Sequence, residues 1–251
     1  MQTVNRLLDI VEILSQSSNQ RLKDISRLTN LNKSTTHRFL KTLIEQGYVY
    51  KNELDETYNL TFKIVKLSKD FLNHFNINSL AKDILNKISL ATEETIHLTT
   101  LNNNSIVYID KIEAKNKSII VSSFIGKTQP LHSTASGKIF LSYMNNTEFN
   151  EVWGKLDLQA KTSNTIINKS KMLKELADIK NFGYALDDQE NEKGIACISV
   201  PVFNLDNKVI YAISITLPLI NNLNTYKEDL LKFLPLLQKS ASELSKKLGS
   251  C

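Results

Sequence analysis

The chain has 251 residues, 41% of them apolar, with only seven Gly and four Pro. That is enough to bury sizeable cores, most simply in two domains, and leaves little room for disordered linkers. Two cysteines, Cys197 and Cys251, exclude a disulfide framework and, without paired Cys/His spacing, a zinc module.

Net charge is +5, unevenly placed. Residues 1–75 hold 11 basic against 8 acidic side chains (+3), and residues 76–251 hold 20 against 18 (+2). The density leans toward the N terminus, as a nucleic-acid footprint requires, although a solvated basic surface gives the same numbers.

Val4, Leu7, Leu8, Ile10, Val11 and Leu14 recur at helical spacing and predict a first amphipathic helix, ending in the serine-rich stretch 15–19. This start lacks the charged head and apolar run of a secretory signal, and no stretch of about 18 apolar residues marks a membrane span. A cytoplasmic protein with no membrane contact is expected. A short second helix carries Ile25 and Leu28 on one face. After the turn Thr29-Asn30-Leu31-Asn32, a third helix opens at Lys33, with Phe39, Leu40, Leu43 and Ile44 turned to a core. Basic and hydroxyl-bearing residues are left outside near its start, and no acid precedes Glu45. Two helices joined by a short turn, the second with a polar, cationic N-terminal face, form the helix-turn-helix that enters the DNA major groove.

Gly47 ends that helix as a C-cap. Tyr48-Val49-Tyr50 and Thr57-Tyr58-Asn59-Leu60 flank the polar segment from Lys51 to Glu56 as a β-hairpin, completing a winged helix-turn-helix. The hairpin tip (Asn52, Glu53, Asp55, Glu56) is acidic and suits phosphate poorly, whereas Lys51 at its base suits it better. Phe62, Ile64, Val65, Leu67, Phe71, Leu72 and Phe75 continue a helical pattern. It reads either as a linker helix with apolar surface to spare for a dimer partner or as an ordinary core helix.

A further helix is predicted over 79–92. Strands at 95–101 and 105–112 flank Asn102-Asn103-Asn104, a hairpin signal, and 119–124 reads as another strand. Helices at 135–144, 148–156 and 170–182 follow, then strands at 184–187, 195–203 and 209–217, and a long amphipathic helix over 225–248. An antiparallel sheet with helices on its faces is the natural packing for this order. The domains expected are a winged helix-turn-helix over 1–61, a linker helix over 62–77 and a second domain over 78–251, an α+β protein.

Enzyme motifs fail on inspection. Gly126-Lys127-Thr128 mimics the end of a phosphate loop, but Val121 stands where its first Gly belongs. Ser136 lacks the Gly-x-Ser-x-Gly spacing of a hydrolase elbow, and His37, His74, His97 and His132 are scattered. No catalytic residues, cofactor or metal are expected.

Along nearly its full length the chain resembles the IclR family of bacterial transcriptional regulators. The resemblance is carried by 31–43 (Leu31-Asn32-Lys33-Ser34-Thr35-Thr36-His37-Arg38-Phe39-Leu40-Lys41-Thr42-Leu43) followed by Gly47-Tyr48-Val49. It continues at Gly126 with Pro130-Leu131-His132-Ser133-Thr134-Ala135-Ser136-Gly137-Lys138, then at Gly183-Tyr184, Glu190, Gly194, Cys197 and Pro201. It implies a winged-helix domain, a linker helix, and an effector-binding domain with a GAF/PAS-like antiparallel sheet and flanking helices, assembled as a dimer or tetramer. One departure follows the wing: where the family commonly has Tyr-x-Leu-Gly, Thr61 follows Leu60.

For DNA, Arg38 and Lys41 reach phosphate or guanine edges, Lys33, Ser34, Thr35, Thr36 and His37 lie beside them, and Arg21, Lys23 and Arg27 anchor the preceding helix on the backbone, with Lys51 added from the wing. Ser34 or Asn32 has an alternative reading as a helix cap. For the effector, the resemblance points to Ala135, Ser136, Asp187, Cys197, Ser214 and Thr216. Amides opening a helix at Ala135 and Ser136 suit a carboxylate, and Ser214 and Thr216, two apart on one strand, face one side. The alternative is that these hydroxyls bond neighbouring strands and Cys197 is small core filler. The expected function is a repressor of catabolic genes that binds a double-stranded operator as a homodimer or homotetramer and answers to a small organic acid. Constitutive DNA binding, with the second domain serving only oligomerisation, is the alternative.

Overall fold

Apolar stripes on three short helices close the first core. These are α1 (Gln2–Gln16), α2 (Leu22–Leu28) and α3 (Lys33–Glu45), meeting through Ile10, Leu14, Ile25, Phe39, Leu40 and Leu43. The computed structural model describes residues 2–74, 76–114, 123–219 and 225–250, and its chain divides into two units, Met1–Phe75 and Asn76–Cys251. Leu28 and Ile44, expected to face this core, are 56% and 39% exposed; each sits at the edge of an apolar stripe too short to wrap further.

Asn32 caps α3, its side chain accepting from the Thr35 amide. The helix stops at Gln46 because Gly47, at φ +74°, turns the chain left-handed. The Gly47 amide donates to Ile44 O and the Tyr48 amide to Leu43 O, the paired bonds of a Schellman ending. The wing follows as β2 (Val49–Asn52) and β3 (Thr57–Leu60). A two-residue strand that periodicity could not find, β1 (Gln20–Arg21), pairs antiparallel with β3. Thr61 then starts α4 (Lys63–His74): its hydroxyl accepts from the Lys63 amide and donates to Gly47 O at 2.6 Å. Phe62, Val65 and Leu67 remain exposed. The side chains of Phe71, Leu72 and Phe75 lie outside the described residues.

In the second unit, α5 (Ile77–Thr92) precedes an antiparallel sheet that has six strands among the described residues. Its strands are β4 (Thr95–Asn102), β5 (Ser105–Ile112), β6 (Thr128–Pro130), β7 (Ala185–Asp188), β8 (Ile195–Phe203) and β9 (Val209–Pro218), in the order β6-β5-β4-β9-β8-β7. β6 was not foreseen: three residues with a Pro carry too little pattern. The expected strand over 119–124 falls mostly outside the described residues, and Ser123 and Phe124 are not in a strand. The remaining helices are α6 (Ala135–Ser142), α7 (Asn146–Trp153), α8 (Lys169–Phe182) and α9 (Tyr226–Lys247).

The two faces of this sheet differ in chemistry. Ile96, Leu98, Ala196, Ile198, Val200, Ile213 and Ile215 form one face and pack with residues of α5 and α9, among them Ile84, Ile88, Leu237 and Leu244. The alternate residues point to the other face, which α6 covers. There the register lines up Thr95, Thr216, Cys197 and Asp187 directly across four strands, and His97, Ser214 and Ser199 across the next rung.

All eight residues of α6 are buried, between the sheet and α8. Gly137 permits this, since a Cβ there would meet Leu131 O at 2.3 Å. The same helix buries Lys138, whose Nζ donates to Glu190 Oε1 at 2.5 Å and to Glu175 Oε1, on α8, at 2.8 Å. Among the described residues, no helix is long and apolar enough to cross a membrane.

Candidate DNA-reading helix and ligand cleft

The outer face of α3 carries Lys33, Ser34, His37, Arg38 and Lys41, all exposed, with Thr35 half-buried beside them. Thr36 does not belong to this face: it is fully buried, and its hydroxyl donates to Asn32 O at 3.0 Å. It falls on the inner side, four residues before Leu40, so it closes the first turn of the helix and is withdrawn from the DNA-facing set. Ser34 is not the cap; it donates to the cap's Oδ1 at 2.8 Å.

Arg21, Lys23 and Arg27 are exposed at and along α2, Arg27 lying 3.8 Å from Asp24. Lys41 approaches Glu45 at 3.9 Å, a loose surface pair of small energy. Lys51 is more committed. Its Nζ lies 3.2 Å from Glu56 and 3.6 Å from Glu53, and these acids hold its ammonium above its usual range. The acidic wing tip therefore neutralises the lysine that was expected to reach a phosphate.

In the second unit the six residues named for an effector, Ala135, Ser136, Asp187, Cys197, Ser214 and Thr216, all line one cleft. Counting the solvent in its open mouth, the cleft spans about 530 Å³. Its floor is the polar face of the sheet and its wall the start of α6. The Thr134 side chain caps that helix through the Gly137 amide, leaving the Ala135 and Ser136 amides without intrahelical acceptors. Ser136 and Ser199 hydroxyls lie 3.0 Å apart and stitch α6 to the sheet.

Asp187 is buried beneath the cleft. Its Oδ1 accepts from the Glu190 amide at 2.7 Å and the Asn191 amide at 3.2 Å, which leaves Oδ2 for the cleft. Burial, aided by the Glu190 charge, pushes its carboxyl from 3.8 up to about 7. Near neutrality it is thus poised between hydrogen-bond donor and anion. Cys197 Sγ lies 3.3 Å from Thr216 Oγ1, and its surroundings push the thiol up, so it is no thiolate nucleophile.

Several lining residues escaped the sequence reading: Tyr108, Ser123, Lys127, Gln129, Asn191 and Glu192. Lys127 was noted only as part of a false phosphate loop. Tyr108 and Gln129 are brought inward by strand register, Asn191 and Glu192 by the loop after β7, and Ser123 by the segment before β6. Lys161, just outside, donates to Asn191 Oδ1 at 2.8 Å.

A winged helix with a cationic outer face on its third helix, followed by a second unit with a polar cleft on one sheet face, is the build of a two-domain DNA-binding regulator. Residues 3–53 match the model of the IclR helix-turn-helix domain, and residues 69–246 match that of the bacterial transcriptional regulator IclR C-terminal domain. The chain is 34% identical to the HTH-type transcriptional regulator XynR of Escherichia coli K12, covering 99% of this chain and 98% of that one. It is 35% identical to the DNA-binding transcriptional repressor YiaJ of the same organism, over 99% and 88%. The crystal structure of the Thermotoga maritima IclR superposes with a TM-score of 0.65 at 32% identity, over 99% of each chain. This chain belongs to the IclR family: it is a DNA-binding transcriptional regulator, and its relatives are regulators, not enzymes.

Proposed function

We propose that this regulator is a repressor of catabolic genes whose operator affinity is set by a small organic acid held in the cleft between α6 and the sheet. The observation that carries the reading is the polar face of that sheet. A sheet face packed under a helix is ordinarily apolar, as the opposite face here is, because buried hydroxyls and carboxyls cost free energy unless bonded. Yet Asp187, Cys197, Thr216 and Ser214 lie together on the covered side and open into a cleft. Helix-opening amides, hydroxyls, Lys127 at the lining and a carboxyl near its midpoint suit a small anion with further polar groups.

Repression is supported by the likeness to YiaJ, which is named a repressor. Assembly as a dimer or tetramer is supported by Phe62, Val65 and Leu67 standing exposed on and beside α4. The acid must bind one operator-affinity state better than the other, since equal affinity shifts nothing. Calorimetric titration of the full chain with a panel of small carboxylic acids, paired with gel shifts on an operator selected from random DNA, tests this. Heat with one acid, together with a changed operator affinity, is expected. Operator binding that no acid in the panel alters, with no heat, favours a constitutive DNA binder whose second unit serves assembly.

A further inference from the structure

Behind the cleft wall lies a residue that the site does not yet use. His97 on β4 is buried at 1% exposure, and both of its ring nitrogens meet hydroxyls. Nε2 lies 2.7 Å from Ser123 Oγ, and Nδ1 lies 3.3 Å from Thr216 Oγ1, which in turn lies 3.3 Å from Cys197 Sγ. Ser123, Thr216 and Cys197 all line the cleft, whereas His97 does not. The ring packs against Tyr108, another lining residue, with centroids 4.7 Å apart. Burial, with the Lys111 ammonium near, holds the imidazole at about 3, so it is neutral throughout the physiological range.

A neutral imidazole has one N–H and one bare nitrogen. With the proton on Nε2, the ring donates to Ser123, freeing that hydroxyl's own proton for the cleft, while Thr216 donates to Nδ1 and offers the cleft only an acceptor. With the proton on Nδ1 the roles reverse: Thr216 is freed to donate, and Ser123 spends its proton on Nε2. The two hydroxyls are therefore coupled through one proton. We propose that His97 is a positioning residue that sets ligand specificity, its tautomer fixing which of Ser123 and Thr216 donates to the bound acid. The inference rests on the reading of the cleft as an acid site and adds to it a rule. A ligand group that only accepts, placed at Ser123, holds the ring as Nε2–H; a ligand hydroxyl that donates there holds it as Nδ1–H.

Matched 2-oxo and 2-hydroxy acids separate these cases, since the C2 oxygen only accepts in the first and can also donate in the second. The full chain, with ¹⁵N-labelled histidine, is titrated with pyruvate and lactate, oxaloacetate and malate, and 2-oxoglutarate and 2-hydroxyglutarate. Ring ¹⁵N shifts report the tautomer, and calorimetry reports the affinity ratio within each pair. For a pair that binds, the protonated nitrogen of His97 is expected to differ between the two complexes, and His97→Phe is expected to change the affinity ratio by roughly tenfold. An unchanged tautomer in both complexes overturns the inference while leaving the acid site standing. If the His97→Phe chain does not fold, the wild-type spectra decide alone. If none of the six acids perturbs a cleft residue or produces heat, the acid-site reading falls and this inference falls with it.

Discussion

The Thr61 hydroxyl donates to the Gly47 carbonyl across 2.6 Å and also accepts from the Lys63 amide, so one side chain binds the end of the recognition helix to the start of α4. Lys63 Nζ adds a bond to Gln46 O at 2.6 Å. The residue that departs from the family pattern therefore has a structural task. Replacing it by Val keeps its bulk and removes the hydroxyl. A loss of about 1–2 kcal/mol is expected, measured by chemical unfolding of the full chain with a probe in residues 1–75. An unchanged midpoint would show the two bonds to be energetically idle.

On α3, the proposed DNA contacts are expected to be of two kinds. Arg38→Ala is expected to relax preference at one base position and cost about 1–3 kcal/mol on the selected operator. Lys41→Ala is expected to weaken all sequences alike and lower the salt slope by about 1. Competitive binding against single-base operator variants at several salt concentrations distinguishes them. Thr36→Val, by contrast, is expected to leave sequence preference untouched, because Thr36 is inside the domain.

Asp187 makes stability depend on pH in a defined direction. Its folded value, about 7, stands above its ordinary 3.8. Between those limits the folded chain keeps a proton that the unfolded chain has lost. Stability is therefore greatest below the window and falls as pH rises through it, by about 1.4 kcal/mol per unit at most. Asp187→Asn, which retains an oxygen for the Glu190 and Asn191 amides, is expected to flatten the thermal profile across the window and to melt higher than the wild type at pH 8. A variant with the same slope would place the titration elsewhere.

Lys138 is expected to be the most sensitive cation in the second unit. Lys138→Met leaves Glu190, 3% exposed, without its partner, and the expected cost is about 3–5 kcal/mol. Urea unfolding measures it; a cost below 1 kcal/mol, the order of an exposed pair, would show that water enters the site.

The elements of both units were legible because their apolar residues repeat at clear periods; β8 and β9 differ from expectation by a single residue at most. The six cleft residues carried over from the family motifs converge on one place, and the register explains the grouping: Asp187, Cys197 and Thr216 occupy one rung. What escaped lies where pattern is short or long-range. β1 and β6 have two and three residues, His97 acquires meaning only through its pairing with Ser214 on β9, and Tyr108 and Ser123 only through their contacts with His97. Thr36 was misplaced because a hydroxyl near a helix start suits DNA and the helix's own first turn equally well by composition.

The division of the sheet into an oily face and a wet one has a consequence for how such regulators diversify. Residues that would choose the ligand alternate along β4, β8 and β9 with those that hold the domain together, and the two sets face opposite sides of the sheet. On the proposed reading, a change at Ser214 or Thr216 would alter which acid is held without loosening Ile213 or Ile215, which face the other side of the sheet. Under that reading a lineage would retune its ligand preference one residue at a time, with the scaffold and the DNA-binding unit left as they were.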